Sequence, residues 1–396
     1  LLLPSFSAQT TQSPTWFTPL EDEALRAREI ADSLGVLTPS IQPLPDHAGY
    51  IHGSGHDGVS GKSLEMFSGL NVDGEYRLIQ GDDPGSATII GLRAFGDLKE
   101  RFHYELSAER WKLPVTQSLF DDAVKWGYFD GIGRVTGSNP GSNSSRAIQV
   151  DRLTFRTSMK LTESIEFSLG HGQHHWGPGT RSLYIDRSMA PASYARLYID
   201  VGVIHYTHLL LRTIHPRENN DTTDIGWIAA HMVDVNLGTG LTGSLFGGVK
   251  WRDKQDGINH RIEPSYLVPL VLFRPTEFSL GSPDNVLMGA QLVYRGKGRS
   301  SGNIKTAYAQ LLFDEFHFEN LVIGNWWANK WGVLTGGSLA SRSGKWRASV
   351  EASAVRPFTY SHGSEIQTWT HAHKPISAPL GSNYANIICR IRWNLL

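Results

Sequence analysis

The chain has 396 residues with 38 acidic and 37 basic side chains and a net charge of −1, so no global field points to nucleic acid, and that class of partner is set aside. Aromatic residues make up 10%, including 12 Trp, in a chain of slightly negative mean hydropathy. Membrane barrels have this mixture, because their lumen is polar and aromatic girdles mark both interfaces. There is no run of about 18 or more apolar residues, which argues against a helical membrane span and leaves a barrel open. The single cysteine, Cys389, excludes an internal disulfide, and nothing suggests zinc or iron–sulfur chemistry.

Residues 1–8, LLLPSFSA, read as the remnant of a signal peptide. Residues 9–46 are expected to form a small helical element outside the main sheet. Thr18, Pro19 and Glu21 stand where an N-cap, a first-turn proline and a capping-box acid belong. Ala24, Leu25, Ile30, Ala31 and Leu34 continue the helix, Gly35 stops it, and Pro39, Pro43 and Pro45 forbid its continuation.

From about Gly61 the chain reads as strand after strand. Phe102, Tyr104, Leu106 and Ala108 alternate with His103, Glu105, Ser107 and Glu109, and Leu153, Phe155, Met159 and Leu161 with Arg152, Thr154, Arg156, Ser158 and Lys160. In Ile304 to Phe316, Thr306, Tyr308, Gln310 and Asp314 alternate with Ala307, Ala309, Leu311 and Phe313. A loop holding Trp326, Trp327 and Trp331 follows, and Val333 to Ala340 returns. Late in the chain Trp346, Ala348, Val350 and Ala352 alternate with Arg347, Ser349, Glu351 and Ser353, and Ile387, Cys389, Ile391 and Trp393 with Ile388, Arg390 and Arg392. Segments such as Arg196 to Leu211 and Gly240 to Arg252 are longer than strands of soluble sheets, and they reach the roughly 9–11 residues of a tilted membrane strand. There are about fifteen such segments, with weaker candidates near Tyr50, Leu183 and Trp369. Residues 47–396 are therefore expected to form an all-β fold, a transmembrane antiparallel β-barrel of roughly 16–18 strands, 18 favoured, which leaves no sheet edge.

With both termini in the periplasm, the last strand runs downward. Working backward, 341–345 and 295–303 fall on the periplasmic side. Residues 315–330, 273–285, 172–195 and 112–145 all fall outside. The long connections gather at one end.

Several stretches resemble the Wzi family of capsule assembly proteins. They are HGQHHWGPG (171–179), FRPTEFSLGSPDN (273–285), YAQLLFDEF (308–316), GNWWANKWGVLTGG (324–337), VRPFTYSH (355–362) and PLGSNYA (379–385), with SLGVLTPSIQPLP (33–45) as a looser match. The resemblance implies an outer-membrane barrel of 18 strands with a small periplasmic helical element, and a lectin-like role in holding capsular polysaccharide at the cell surface. The chain departs from the usual barrel ending: it stops in Trp393-Asn394-Leu395-Leu396 rather than a terminal Phe.

Trp326, Trp327, Trp331 and Trp369, with Tyr360, His371 and Asn383, form the candidate glycan-binding surface. Aromatic rings stack on the C–H faces of sugars, and amides and imidazoles pair with hydroxyls. Each Trp is equally suited to the interfacial girdle. Arg152, Arg156, Arg347, Arg390 and Arg392 are expected in the lumen, to meet acidic polysaccharide or to pair with lumen acids. Asp314 is read as a structural partner of Arg347 or Arg390. Asp314 and Glu315 cannot flank one glycosidic bond without a bulge, because neighbouring strand residues face opposite ways. His171, His174 and His175 lie in a Gly/Pro-rich turn without a full ligand set, and His371 and His373 read the same way, so no metal, cofactor or catalytic residue is expected. The expected partners are capsular or exopolysaccharide, outer-membrane lipid and polysaccharide-export machinery, with the chain a monomer. The alternatives are a porin-like channel for small solutes and, more weakly, a surface-glycan hydrolase.

Overall fold

The computed structural model describes residues 41–42, 67–79, 85–98, 101–129, 131–141, 146–218, 222–254, 263–267, 284–297, 304–314, 329–341 and 346–393. The helix expected over Thr18 to Leu34, the strand candidate near Tyr50, and Glu315, Trp326 and Trp327 lie outside these residues, as does the Arg392 side chain.

In chain order the strands are β1 (Ile41–Gln42), β2 (Phe67–Ile79), β3 (Gly85–Leu98), β4 (Phe102–Pro114), β5 (Tyr128–Phe129), β6 (Gly133–Asn139), β7 (Ala147–Thr162), β8 (Ile165–Gly172), β9 (His175–Trp176) and β10 (Ala192–Val201). They continue as β11 (Ile204–Pro216), β12 (Thr223–Gly238), β13 (Leu241–Arg252), β14 (Asn285–Lys297), β15 (Ile304–Asp314), β16 (Lys330–Ala340), β17 (Trp346–Val355), β18 (Thr370–His371), β19 (Lys374–Pro375) and β20 (Tyr384–Trp393). One helix of three turns, α1 (Gln117–Trp126), lies between β4 and β5 and stops at the left-handed Gly127, inside the stretch 112–145 expected only as a long outer connection. One antiparallel sheet holds 16 strands, on a path from β2 through β4, β7, β8 and β10 to β17 and β20, with β5 and β6 beside it.

Alternation along each strand decides which face meets what. On β15 Tyr308, Gln310, Leu312 and Asp314 are buried, while Leu311 between them is exposed. The inward apolar side chains of β10 to β17 pack into one cluster, including Tyr194, Leu211, Ile228, Phe246, Leu287, Tyr308, Leu334 and Val355, with Tyr384 of β20 against it. Consecutive strands can share one buried cluster only if the sheet is rolled around it, so the fold is a β-barrel. The outward face carries Ile90, Leu106, Leu153, Phe155, Leu245, Leu292, Ile387 and Ile391, the last 83% exposed. A continuous exposed apolar wall of this kind belongs in lipid.

Two aromatic bands bound that wall. Phe313 pairs with Trp331 toward one end, and Trp346 pairs with Trp393 at the other, while Trp251, paired with Trp227 across the strands, is buried beneath Tyr266. Trp346 bonds Ser341, which follows β16 directly, so ten residues separate it from Trp331 along the wall. Ten strand residues span about 33 Å, and a tilt of roughly 40° reduces this to about 25 Å, the height of a barrel's apolar belt.

Long and short connections segregate as the alternation requires. Residues 163–164, 202–203 and 239–240 make two-residue turns at one end, whereas 115–146, 173–191, 253–284 and 356–383 join strands at the other. The segment Arg196 to Leu211 is not one strand. Gly202, at φ 65°, turns the chain there, and β10 and β11 pair as a hairpin. Periodicity missed this because Val201, Val203 and Ile204 keep the turn apolar. Leu183 is in no strand at all, and Trp369 stands beside the two-residue β18.

Candidate functional site

The barrel is filled from its long-loop end by two segments. The first, 173–191, leaves β8, enters the interior and returns as β10. Gly177 has a φ of 140°, and a Cβ there would lie 2.3 Å from Gln310 Nε2; one on Gly179 would lie 2.2 Å from Glu351 Oε2. Only glycines let the backbone press this close to the wall. Trp176, Leu183, Tyr184, Ile185 and Met189 are completely buried. Gln310 accepts from Leu183 N at 3.0 Å and donates to Trp176 O at 3.1 Å and Gln291 Oε1 at 2.8 Å. Glu351 accepts from Thr180 N at 2.9 Å, Arg181 N at 3.0 Å and the Tyr308 hydroxyl at 2.7 Å. Tyr184 stacks on Phe246 at 4.4 Å, and its hydroxyl donates to Ala290 O at 2.7 Å. β9 of this segment also pairs with β1, which sets Ile41–Gln42 against the plug, apart from the main sheet.

The second segment, 356–383, closes over the first. Tyr360 donates its hydroxyl to Leu183 O at 2.9 Å, and Trp369 donates Nε1 to Tyr184 O at 2.9 Å. Backbone bonds tie Asp186 N to Ile376 O and Ala378 N to Ser182 O. The buried Lys250 of β13 donates to Thr368 O at 2.6 Å, to Thr370 O at 2.5 Å and lies 3.2 Å from His215 Nε2. These acceptors clip residues 364–371 to the wall.

Beside and below the plug the interior is ionic. Arg152 lies 3.4 Å from Glu109 and donates to Gln173 at 2.6 Å, while Glu166 sits 2.8 Å from Arg196 and 3.4 Å from Arg156. His174, between plug and arginines, packs edge-on against Tyr194 at 4.3 Å. Burial, reinforced by Arg196 and Arg156, lowers its pKa to about 3; burial likewise lowers His371 to about 3. Both imidazoles are neutral in the fold and become protonated in the unfolded chain near its ordinary pKa of 6.5. A base with a depressed folded pKa costs stability as pH falls below the unfolded value. Acidification from pH 7 to pH 5 is therefore expected to remove about 2 kcal/mol per imidazole. Thermal unfolding at the two pH values checks this, and His174→Gln should lose correspondingly less than the wild type.

The sequence-predicted residues fall in different places. Trp369, Tyr360 and His371 are buried beneath or within the second segment, with His371 3.2 Å from Pro191 O and 3.2 Å from Ile214 N, so their faces are not open to a sugar. Packing replaces the glycan role read for these three. Trp331 lies on the outward face, paired with Phe313, and belongs to the aromatic band. Asn383 alone of the described candidates is exposed. Arg152 and Arg156 are inward and ion-paired, as read from the alternation, and Arg347 and Arg390 lie on the inward face near the short-turn end. Asp314 does not reach them. It is at the opposite end of β15, about 33 Å from the level of Arg347, and accepts from Tyr360 N at 2.7 Å. His171 faces outward 3.1 Å from Ser193, His174 inward on Tyr194, and His175 lies 3.0 Å from Gly179 O, so the three do not converge.

Reading the sequence did not find Gln310 and Glu351, which tie the plug to the wall. A Gln or Glu amid Ala and Ser on an inward face was the available signal. Nor did it find Trp126, which stacks on His373 at 3.9 Å while Lys374 pairs with Asp122 at 2.7 Å. These contacts join α1 to the second segment across the barrel mouth.

Several solved outer-membrane proteins are similar to this chain. Similarity extends to Wzi of Escherichia coli. That protein is described as an outer-membrane protein involved in group 1 capsule assembly and a carbohydrate-binding β-barrel; it is 13% identical over 82% of this chain, with a TM-score of 0.49. The chain spans 65% of the length of Wzi. An anion-selective porin from Comamonas acidovorans matches 84% of the chain at 11% identity and a TM-score of 0.35, covering 99% of the porin. OmpT, an outer-membrane protein of Vibrio cholerae, matches 83% at 11% identity and a TM-score of 0.35, covering 97% of that protein. No family model matches the chain, and no curated protein matches it by sequence.

Proposed function

We propose that the chain is a bacterial outer-membrane barrel that binds surface polysaccharide at its long-loop face and helps assemble or retain a capsule, without enzymatic activity or a cofactor. The observation that carries this reading is the filled interior. The stretches that resemble the capsule assembly family in sequence, 171–179, 355–362 and 379–385, belong to the two segments that occupy the barrel and lock to its wall. A barrel filled in this way is a poor conduit and a rigid support for a recognition surface. In this reading the long loops are extracellular, the N-terminal element is periplasmic, and the chain acts as a monomer within reach of the export machinery. Asp314, buried and committed to Tyr360 N, is unsuited to general acid chemistry on a sugar.

Two measurements test the reading against the porin alternative. In planar bilayers the purified barrel should show no stable open channel, and in a pull-down it should retain purified capsular polysaccharide. A steady conductance together with failure to retain any anionic polysaccharide would replace the lectin by the channel.

A further inference from the structure

One row of side chains crosses the outward face of the wall at its long-loop end and is not apolar throughout. Phe155, His171, Ser193, Arg212 and Trp227 are successive Cα partners across β7, β8, β10, β11 and β12. Residues directly opposite one another in antiparallel strands present their side chains to the same face, and the exposed Phe155 makes that face the outward one. His171 Nδ1 lies 3.1 Å from Ser193 Oγ, so the middle of the row is polar, and Arg212 adds a charge beside it. Beneath the row Leu169 and Met159, both exposed, return the wall to an apolar surface.

A second pair of side chains joins this row from β5 and β6. Phe129 and Val135 turn into the buried cluster of Trp111 and Val150, so Tyr128 and Arg134, each one residue away and Cα partners of one another, face the other way. Gln173 pins the hairpin beside β10, donating to Gly131 O at 2.7 Å and to Met189 O at 2.6 Å. Gly131, at φ 69°, passes so close to the plug that a Cβ would lie 2.8 Å from Ser188 O. Burial raises the pKa of Tyr128, and the charges of Arg134 and Arg212 oppose that rise, so both guanidinium groups stand within electrostatic reach of its hydroxyl. Neither guanidinium makes a hydrogen bond or an ion pair among the described residues. The carboxylates adjoining in the register are committed elsewhere: Asp151 accepts from Arg110 at 2.7 and 2.8 Å, and Asp253 from Trp227 Nε1 at 2.8 Å.

We propose that Arg212, Arg134, Tyr128 and Ser193 form an outward-facing site for the phosphate of a membrane-lipid headgroup. A guanidinium fork matches phosphate oxygens two at a time, and the two hydroxyls donate to the oxygens that remain. Two like charges brought together without a counterion repel, and a bound phosphate removes that cost. The face selects a lipid over a soluble glycan. The site opens sideways at the end of an apolar wall, where a headgroup stands while its acyl chains lie along Leu169 and Met159. Because the hairpin is fixed to the plug and Arg212 to a strand, both charges are in place before the lipid arrives. The proposal does not depend on polysaccharide binding; it uses the extracellular placement of the long loops only to assign the lipid to the outer leaflet.

Native mass spectrometry of the whole barrel in neutral detergent tests it, with bisphosphorylated lipid A, its dephosphorylated form and inorganic phosphate as probes. The wild type should retain the bisphosphorylated lipid and little of the dephosphorylated one. Arg212→Gln is expected to weaken retention about tenfold, and Arg212→Lys, which keeps the charge without the fork, by less. Arg134→Gln should weaken it in the same direction, and Arg217→Gln, whose guanidinium is paired with Asp224, should leave it unchanged. An unaltered folded gel mobility shows that each variant is still a barrel. Equal retention of the two lipids by the wild type, or unaltered retention by both Arg212→Gln and Arg134→Gln, overturns the site. Displacement of the lipid by an equal concentration of inorganic phosphate overturns the lipid assignment. If Arg212→Gln instead loses capsular polysaccharide in the pull-down while keeping the lipid, the row serves the glycan and the lipid site is wrong. None of these failures touches retention of capsular polysaccharide by the wild type, on which the polysaccharide reading stands or falls separately.

Discussion

Glu351→Ala is expected to make the barrel conduct. The Glu351 carboxylate is the shared acceptor for Thr180 N, Arg181 N and the Tyr308 hydroxyl, with Glu351 and Tyr308 buried and Thr180 and Arg181 half-buried. Alanine at this position strands three donors and leaves a void where Gly179 had been pressed against the carboxylate. The cost is about 3–5 kcal/mol, the range for removing one partner of a buried charged network. Much of it can be avoided if 177–181 swings away from β17, because water then satisfies the donors. Planar bilayers should show opening events absent from the wild type, and trypsin should cleave after Arg181. Glu351→Gln, whose amide can accept fewer of these bonds, should fall between the two. Silent bilayers and a protected Arg181 in Glu351→Ala would mean that the plug is held elsewhere.

The wall of this barrel was legible because strand physics is local. Side chains alternate every residue, so Thr306, Tyr308 and Gln310 faced inward on the sequence alone, and Leu311 faced out. The gathering of long connections at one end followed from the same parity. What fills the barrel was not legible. Residues 173–191 and 356–383 have no repeat, and their structure is set by partners far along the chain, as where Gln310 meets Leu183. Trp331 and Trp369 illustrate the difference. Both read equally as girdle or sugar platform, yet Trp331 is one residue from the inward Gly332 on a strand and so faces out. The place of Trp369 depends on Gly248 of β13, where a Cβ would lie 2.7 Å from the indole ring. Register could have placed the first; no local rule could have placed the second.

That dependence makes Trp369→Ala the sharpest separation of packing from recognition. The indole is completely buried, lies over Gly248 and donates to Tyr184 O at 2.9 Å, so it is the wedge between the two filling segments. Truncating a buried Trp costs about 3–5 kcal/mol, because the cavity collapses only in part. The heat-induced loss of the folded gel mobility should therefore move to distinctly lower temperature. Trp369→Phe, which refills most of the volume without the N–H donor, should recover most of that shift. Were Trp369 a sugar platform, its alanine variant would melt like the wild type and fail only in glycan retention.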